Sequence, residues 1–268
     1  MNSRLVSVLV LTVIIYTINI LAYSARLAGI RTQRPAQSRS LYNLLALSSR
    51  AAHAVQATLL AGLVDLSATT ASVTGLTSTL RFVLLAAAGG ILIGAALVPS
   101  VASLLARGVE SYQARGSIPR VVLHGVSVEG LPRAWGLLRR PRTHSVRYAR
   151  EHRPRKRWIL ITVVVAAVNA VAGPAAQIAS VIASEGTRTS LYLPSFFTGL
   201  GVILMTLLVD PVTAQVTDQA LRGERPAQDV TVFSVWQIGA QLVGVGLAQL
   251  LLVPMARMLA AITGVLVG

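Results

Sequence analysis

The chain has 268 residues, of which 54% are hydrophobic and only 12% charged, and it has no cysteine. Soluble domains carry about 25% charged residues, so an ordinary soluble enzyme, a disordered tail and a disulfide scaffold are excluded, as are thiolate catalysis and cysteine-ligated metal centres. The formal charge is +15. In a soluble protein it would suggest nucleic acid, but here the basic residues cluster between apolar blocks, where they orient the chain and attract anionic membrane lipids.

Six blocks are long enough to approach the roughly 20 helical residues that a bilayer requires. The sequence therefore predicts an all-α integral membrane protein. The first span is Leu5–Ala22. Only Arg4 precedes it and four arginines follow closely, the reverse of a signal peptide's bias, so it reads as a retained span. The second is Leu41–Leu66, the third Phe82–Leu105 and the fourth Trp158–Ile182. A short fifth, Leu193–Val209, and a sixth, Val230–Val253 with an apolar tail, complete the set. Continuous apolar runs favour helices over the alternation of a barrel.

Charge sets the orientation. Nineteen of the 24 basic residues lie in the segments 24–40, 106–157 and 210–229. Arg4, Arg81, Arg188 and Arg257 lie on the other side. The positive-inside rule then places the three basic segments in the cytoplasm and both termini outside. Segment 106–157 is the one long polar region. Pro119, Pro132, Pro141 and Pro154 interrupt it, which predicts short surface helices. Trp135, Tyr148 and Trp158 among its arginines suit the headgroup layer.

The two halves echo each other. Thr12-Val13 recurs as Thr162-Val163, Asn19 as Asn169, Ala22 as Ala172 and Ala25 as Ala175, all at an offset of 150. Leu63-Val64-Asp65 recurs as Leu208-Val209-Asp210, and Leu97-Val98-Pro99 as Leu252-Val253-Pro254. The organisation read from this is a three-helix repeat over 1–105, a basic linker over 106–157 and a second three-helix repeat over 158–268. An odd number of spans per repeat makes the halves inverted, as in many transporters.

Polar residues inside the spans are the candidate site. Arg50 sits mid-span, where a guanidinium costs about 3 kcal/mol on insertion scales. Asn43, Arg50, His53 and Gln56 share one helical face. A planar guanidinium that donates bidentate hydrogen bonds suits a phosphate, although pairing with a carboxylate would serve helix packing equally well. Asp65 and Asp210 lie near span ends and suit an ion pair or a coupling proton, although Asp210-Pro211 could equally begin a cap or turn. Asn19, Asn169 and Gln177 add polar groups to the first and fourth spans, and Gly173-Pro174 predicts a break or kink in the fourth. Gly89-Gly90 and Gly94 read as a close helix contact. Metalloprotease, nucleophile-elbow and P-loop motifs are absent from the sequence, which argues against an enzyme.

Residues 18–66 contain Leu21-Ala22-Tyr23-Ser24-Ala25-Arg26-Leu27-Ala28-Gly29-Ile30-Arg31-Thr32, then Ser40-Leu41-Tyr42-Asn43, Ser48-Ser49-Arg50 and Leu63-Val64-Asp65-Leu66. This pattern resembles the Amj family, bacterial lipid II flippases known as the alternate to MurJ. The resemblance implies a bacterial plasma-membrane protein without a cofactor. Its substrate would be an undecaprenyl-diphosphate-linked disaccharide pentapeptide, moved from the cytoplasmic to the outer leaflet. It further implies that Arg50, with Arg26 and Arg31 at the cytoplasmic mouth, binds the diphosphate. So large a headgroup in so small an envelope suggests a homodimer, with the glycine face of the third span as a candidate contact, or a cavity open sideways to lipid. The residues alone also admit an ion-coupled small-solute transporter or a non-transporting cell-wall assembly factor.

Overall fold

The computed structural model describes residues 3–68, 73–115, 143–182, 199, 201 and 203–267. Among them there are helices and no strand. They are α1 (Ser3–Thr32), α2 (Pro35–Ala68), α3 (Val73–Arg115), α4 (Thr143–Glu151), α5 (Lys156–Ile182), a π-helical turn (Met205–Val209), α6 (Asp210–Leu221) and α7 (Gln228–Val267).

Among the described residues, four helices are both long and apolar enough to cross a bilayer: Arg4–Thr32, Val73–Val109, Lys156–Ile182 and Gln228–Val265. They contain the expected first, third, fourth and sixth spans. α2 has 34 residues and is long enough, but its Asn43-to-Gln56 stripe dilutes its apolar content, and the side chains at 63–68 lie outside the described residues. The expected fifth span begins outside the described residues, and its end is the π-helical turn. The helices also run on past the expected boundaries. α3, with 43 residues, is about 65 Å long at 1.5 Å per residue. Within segment 106–157, α3 continues to Arg115 and α4 follows as one short surface helix. Pro119, Pro132 and Pro141 lie outside the described residues.

Of the break or kink expected at Gly173-Pro174, the break is absent, since α5 is continuous from Lys156 to Ile182. Pro99, Pro174 and Pro254 all sit inside continuous helices. A proline removes one backbone hydrogen bond, and packing on neighbouring helices holds the turns on either side. For α5 that packing is dense, because Ala170 to Ser180 is buried at every position except Gly173.

α1 and α2 form an antiparallel hairpin. Gln33 takes a left-handed conformation with φ 54° at the turn. Gly29 lies so close to Ser38 that a side chain there would clash, and the Ser38 hydroxyl donates to the Ala25 carbonyl. α1 and α3 run parallel in close contact. A Cβ on Gly90 would lie 2.6 Å from the Val13 carbonyl oxygen, and one on Gly94 2.7 Å from Ile20 Cβ. Thr17 donates to the Gly90 carbonyl at 3.1 Å and Ser24 to the Val98 carbonyl at 3.3 Å. Gly90 and Gly94 therefore meet α1, and of the expected glycine face only Gly89 has room for a Cβ with nothing within 4 Å. α5 and α7 meet in the same way, since a Cβ on Gly244 would lie 2.6 Å from Ala166 Cβ.

The buried face of α1 reappears in α5. Val8, Thr12, Ile15, Ile20, Ala22, Ala25 and Ala28 are buried, and so are Trp158, Thr162, Val165, Ala170, Ala172, Ala175 and Ile178, each 150 positions on. Val10 and Ile14 are exposed, as are Leu160 and Val164. Thr12 donates to the Val8 carbonyl at 2.7 Å, and Thr162 to the Trp158 carbonyl at 2.8 Å. α7 runs antiparallel to α1: Arg26 faces Gln237, while Tyr23 faces Gln241.

Candidate functional site

Polar side chains converge where α1, α2, α6 and α7 meet, and Arg26 is at the centre. Its Nη2 lies 3.0 Å from Asp210 Oδ1. Its Nη1 donates to Thr213 Oγ1 at 3.1 Å and to Gln237 Oε1 at 3.4 Å. The guanidinium also lies 4.9 Å from the Tyr42 ring centroid and 5.6 Å from that of Tyr23. With 18% of the Arg26 side chain and 33% of Asp210 accessible, the pair is largely withdrawn from solvent. A cation–π contact contributes about 0.5–2 kcal/mol, more as water is excluded.

Local sequence explains each placement. Arg26 follows the run Ala22-Tyr23-Ser24-Ala25, whose small residues let α1 approach its neighbours. Asp210 is the first residue of α6, with Pro211 behind it. Proline is tolerated there because the first helical N–H groups need no intrahelical acceptor. The π-helical turn before it widens the helix and turns the Val209 carbonyl toward Trp158 Nε1, 3.5 Å away. Thr213, one turn on, donates to the Asp210 carbonyl at 2.9 Å. Gln237 and Gln241 occupy successive turns of α7, and Gln241 donates to the Tyr23 hydroxyl.

The other expected residues are distributed around this centre. Arg50 is exposed on α2 and makes no ion pair among the described residues. It follows Tyr42 by eight residues, about 12 Å along the helix. Asn43 is also exposed. His53 and Gln56 turn toward α1 instead: the His53 ring meets the edge of Tyr16 at 6.0 Å, and Gln56 is buried and donates to Thr12. The face shared by Asn43, Arg50, His53 and Gln56 thus divides, with its last two members packed against α1. Arg31 is exposed at the end of α1, and Asn19 is half-buried in its middle. Asn169 packs against Gly201, where no Cβ would fit. Its Oδ1, the Gln177 Oε1 and the Gln237 Nε2 are buried without a hydrogen-bond partner among the described residues. The Asp65 side chain lies outside the described residues.

Sequence reasoning anticipated that Asp210 could pair with an arginine. It missed Tyr23, Tyr42, Thr213, Gln237 and Gln241 as members of the cluster. One signal was available: Gln237 and Gln241, four apart in an apolar block, mark a polar stripe on one helical face. Among the described residues no three His, Asp or Glu side chains gather closely enough to hold a metal ion.

The profile of the family Amj, described as Alternate to MurJ, matches residues 11–263. Among curated proteins, one of Bacillus subtilis (strain 168) named "Lipid II flippase Amj" is 28% identical over 255 residues, covering 93% of each chain. No solved structure gives a significant match.

Proposed function

Because the chain belongs to the Amj family, we propose that it is a lipid II flippase of the bacterial plasma membrane, with both termini outside. In this reading an undecaprenyl-diphosphate-linked peptidoglycan precursor moves from the cytoplasmic to the outer leaflet. Residues 1–105 and 158–268 act as inverted repeats that rock against each other. The recurrence of buried positions between α1 and α5, and the antiparallel course of α1 and α7, support that arrangement.

The observation that carries the proposal is the Arg26 cluster. A charged pair joins α1 of the first half to α6 of the second. Arginine binds carboxylate and phosphate through the same planar fork, so a lipid diphosphate competes with Asp210 for Arg26. Displacing the carboxylate releases the ion pair between the halves. Gln237 Nε2, buried beside Arg26 without a partner among the described residues, supplies a further donor to a phosphate oxygen. Arg50, about 12 Å further along α2, is the next cation for the diphosphate. Arg31 gathers substrate at the mouth, and Asn19, Asn43, His53, Gln56, Asn169 and Gln177 offer polar contacts to the headgroup. Asp210, once freed, carries the coupling charge together with Asp65.

The test is complementation of cells depleted of their main lipid II flippase, joined to a leaflet-accessibility assay in proteoliposomes. Wild type restores growth and exposes the lipid. Arg50→Ala abolishes both and Arg50→Lys restores them in part. Solute uptake without lipid translocation would reject the flippase reading. Full activity of a stably inserted Arg50→Ala protein would remove that residue from the path.

A further inference from the structure

A second basic site lies apart from the Arg26 cluster. A half-open cavity of about 770 Å³ is bordered by the segment between α4 and α5, by the start of α5, by the π-helical turn and α6, and by the start of α7. Arg153, Arg155, Arg157 and Arg225 line it, with His152 and a single carboxylate, Asp229. Asp229 pairs with Arg225 at 3.6 Å. Arg155 and Arg157 are exposed and make no ion pair among the described residues. Arg153 leans over the Trp236 ring, 6.0 Å from its centroid. Three arginines therefore line this cavity without a carboxylate partner among the described residues, Arg153 also donating through Nε to the Arg150 carbonyl at 3.1 Å, and α5 begins there at Lys156.

The floor is apolar. Trp158, Ile161, Leu208, Val212 and Phe233 form it, with the Trp158 and Phe233 rings edge to face at 5.0 Å. Exposed apolar side chains follow on α5 and on the π-helical turn, which are in contact with each other. Leu160 on α5 is 64% exposed and Leu207 on the π-helical turn 66%, with Val164 and Ile203 beyond them. A soluble anion would use the arginines but not these apolar side chains. A charged head with hydrocarbon chains uses both.

We propose that this cavity holds an anionic glycerophospholipid of the cytoplasmic leaflet, its phosphate on Arg153, Arg155 and Arg157 and its acyl chains along Leu160 and Leu207. Basic pockets between membrane helices on the cytoplasmic side bind such headgroups. A resident lipid fits better than a passing substrate. None of the cavity's lining residues belongs to the Arg26 cluster, and α6 stands between the two. Its Asp210 and Thr213 face Arg26, whereas Val212, Gln215 and Gln219 face the cavity. The lipid thus braces α6 from behind while the other side of that helix holds the ion pair.

Native mass spectrometry of the purified full chain tests this with phosphatidylglycerol as probe and phosphatidylcholine as control. Wild type retains phosphatidylglycerol at least tenfold more tightly than phosphatidylcholine. Arg155→Gln with Arg157→Gln removes that preference, and Val212→Trp, which fills the floor without changing charge, also removes it. Arg147→Gln, on α4 outside the cavity, does not. Equal retention of the two lipids by wild type, or undiminished preference in both cavity variants, overturns the proposal. So does displacement of phosphatidylglycerol by undecaprenyl diphosphate, which would put the cavity on the substrate's path. Lipid retention is read without any transport, so a failure of the flippase reading and a failure of this one are seen separately.

Discussion

α1 and α5 bury nearly the same positions, yet they differ where it matters chemically. Over 8–30 and 158–180 the two helices agree in burial at most positions, with Thr17 and Ala167, Leu21 and Val171, and Tyr23 and Gly173 among the exceptions, and each is met at close range by a glycine of a partner helix, Gly90 or Gly244. At the position of Arg26, however, α5 carries Ala176, which is fully buried. The shared part is packing: small residues and van der Waals contact hold membrane helices together when lipid is as apolar as the side chains. The unshared part is charge. One half supplies the cation and the other answers it with Asp210, so the pair ties the halves together instead of stabilising either one.

Four perturbations break or sharpen this contrast, taken here from the largest effect on stability to the smallest. Arg26→Ala strands Asp210 among helices. Removing one partner of a buried pair costs about 3–5 kcal/mol, somewhat less here because the carboxylate is a third accessible. A fall in melting temperature in detergent is expected, with loss of translocation. The double variant Arg26→Ala with Asp210→Ala should be more stable than Arg26→Ala alone, and a thermodynamic cycle that gives no coupling would show that the pair does not link the halves. Next, Gly90→Leu and Gly244→Leu each overpack a helix contact, at about 1–3 kcal/mol. Similar losses at both sites would mark the two contacts as equivalent, whereas a large loss at one alone would set the halves apart. Thr12→Val and Thr162→Val each remove a hydroxyl bonded to its own helix, and each should cost on the order of 1 kcal/mol. A larger loss is expected at Thr12, which also accepts a hydrogen bond from Gln56. Last, Arg50→Ala should leave the unfolding free energy within about 0.5 kcal/mol of wild type, as surface substitutions do. It should nevertheless abolish translocation, which separates the exposed cation from the paired one.

Much of the fold was legible because a bilayer imposes length and polarity on each helix. The blocks Leu5–Ala22, Phe82–Leu105, Trp158–Ile182 and Val230–Val253 all fall within apolar helices of the structure. Their ends were not legible, since continued α3 and α7 turns outside the hydrocarbon need no apolar signature. The site was legible in part. Helical periodicity grouped Asn43, Arg50, His53 and Gln56, but periodicity reports which residues share a face, not where that face points. α1 covers His53 and Gln56 and leaves Arg50 open. Arg26 was legible as a candidate and Asp210 as an acid that could meet an arginine. That these two meet each other could not be read, because 184 residues separate them and only the packing of α1 against α6 and α7 brings them together.

The turn at Met205–Val209 ties that meeting to helical register. A π turn holds one residue more than an α turn. If the extra residue were absorbed or removed, everything beyond it would rotate by about 100°, the angle between neighbours at 3.6 residues per turn. Asp210 would then swing off Arg26 with no displacement of the helix axis, so a single-residue deletion within 205–208 should unfasten the pair as surely as replacing the acid.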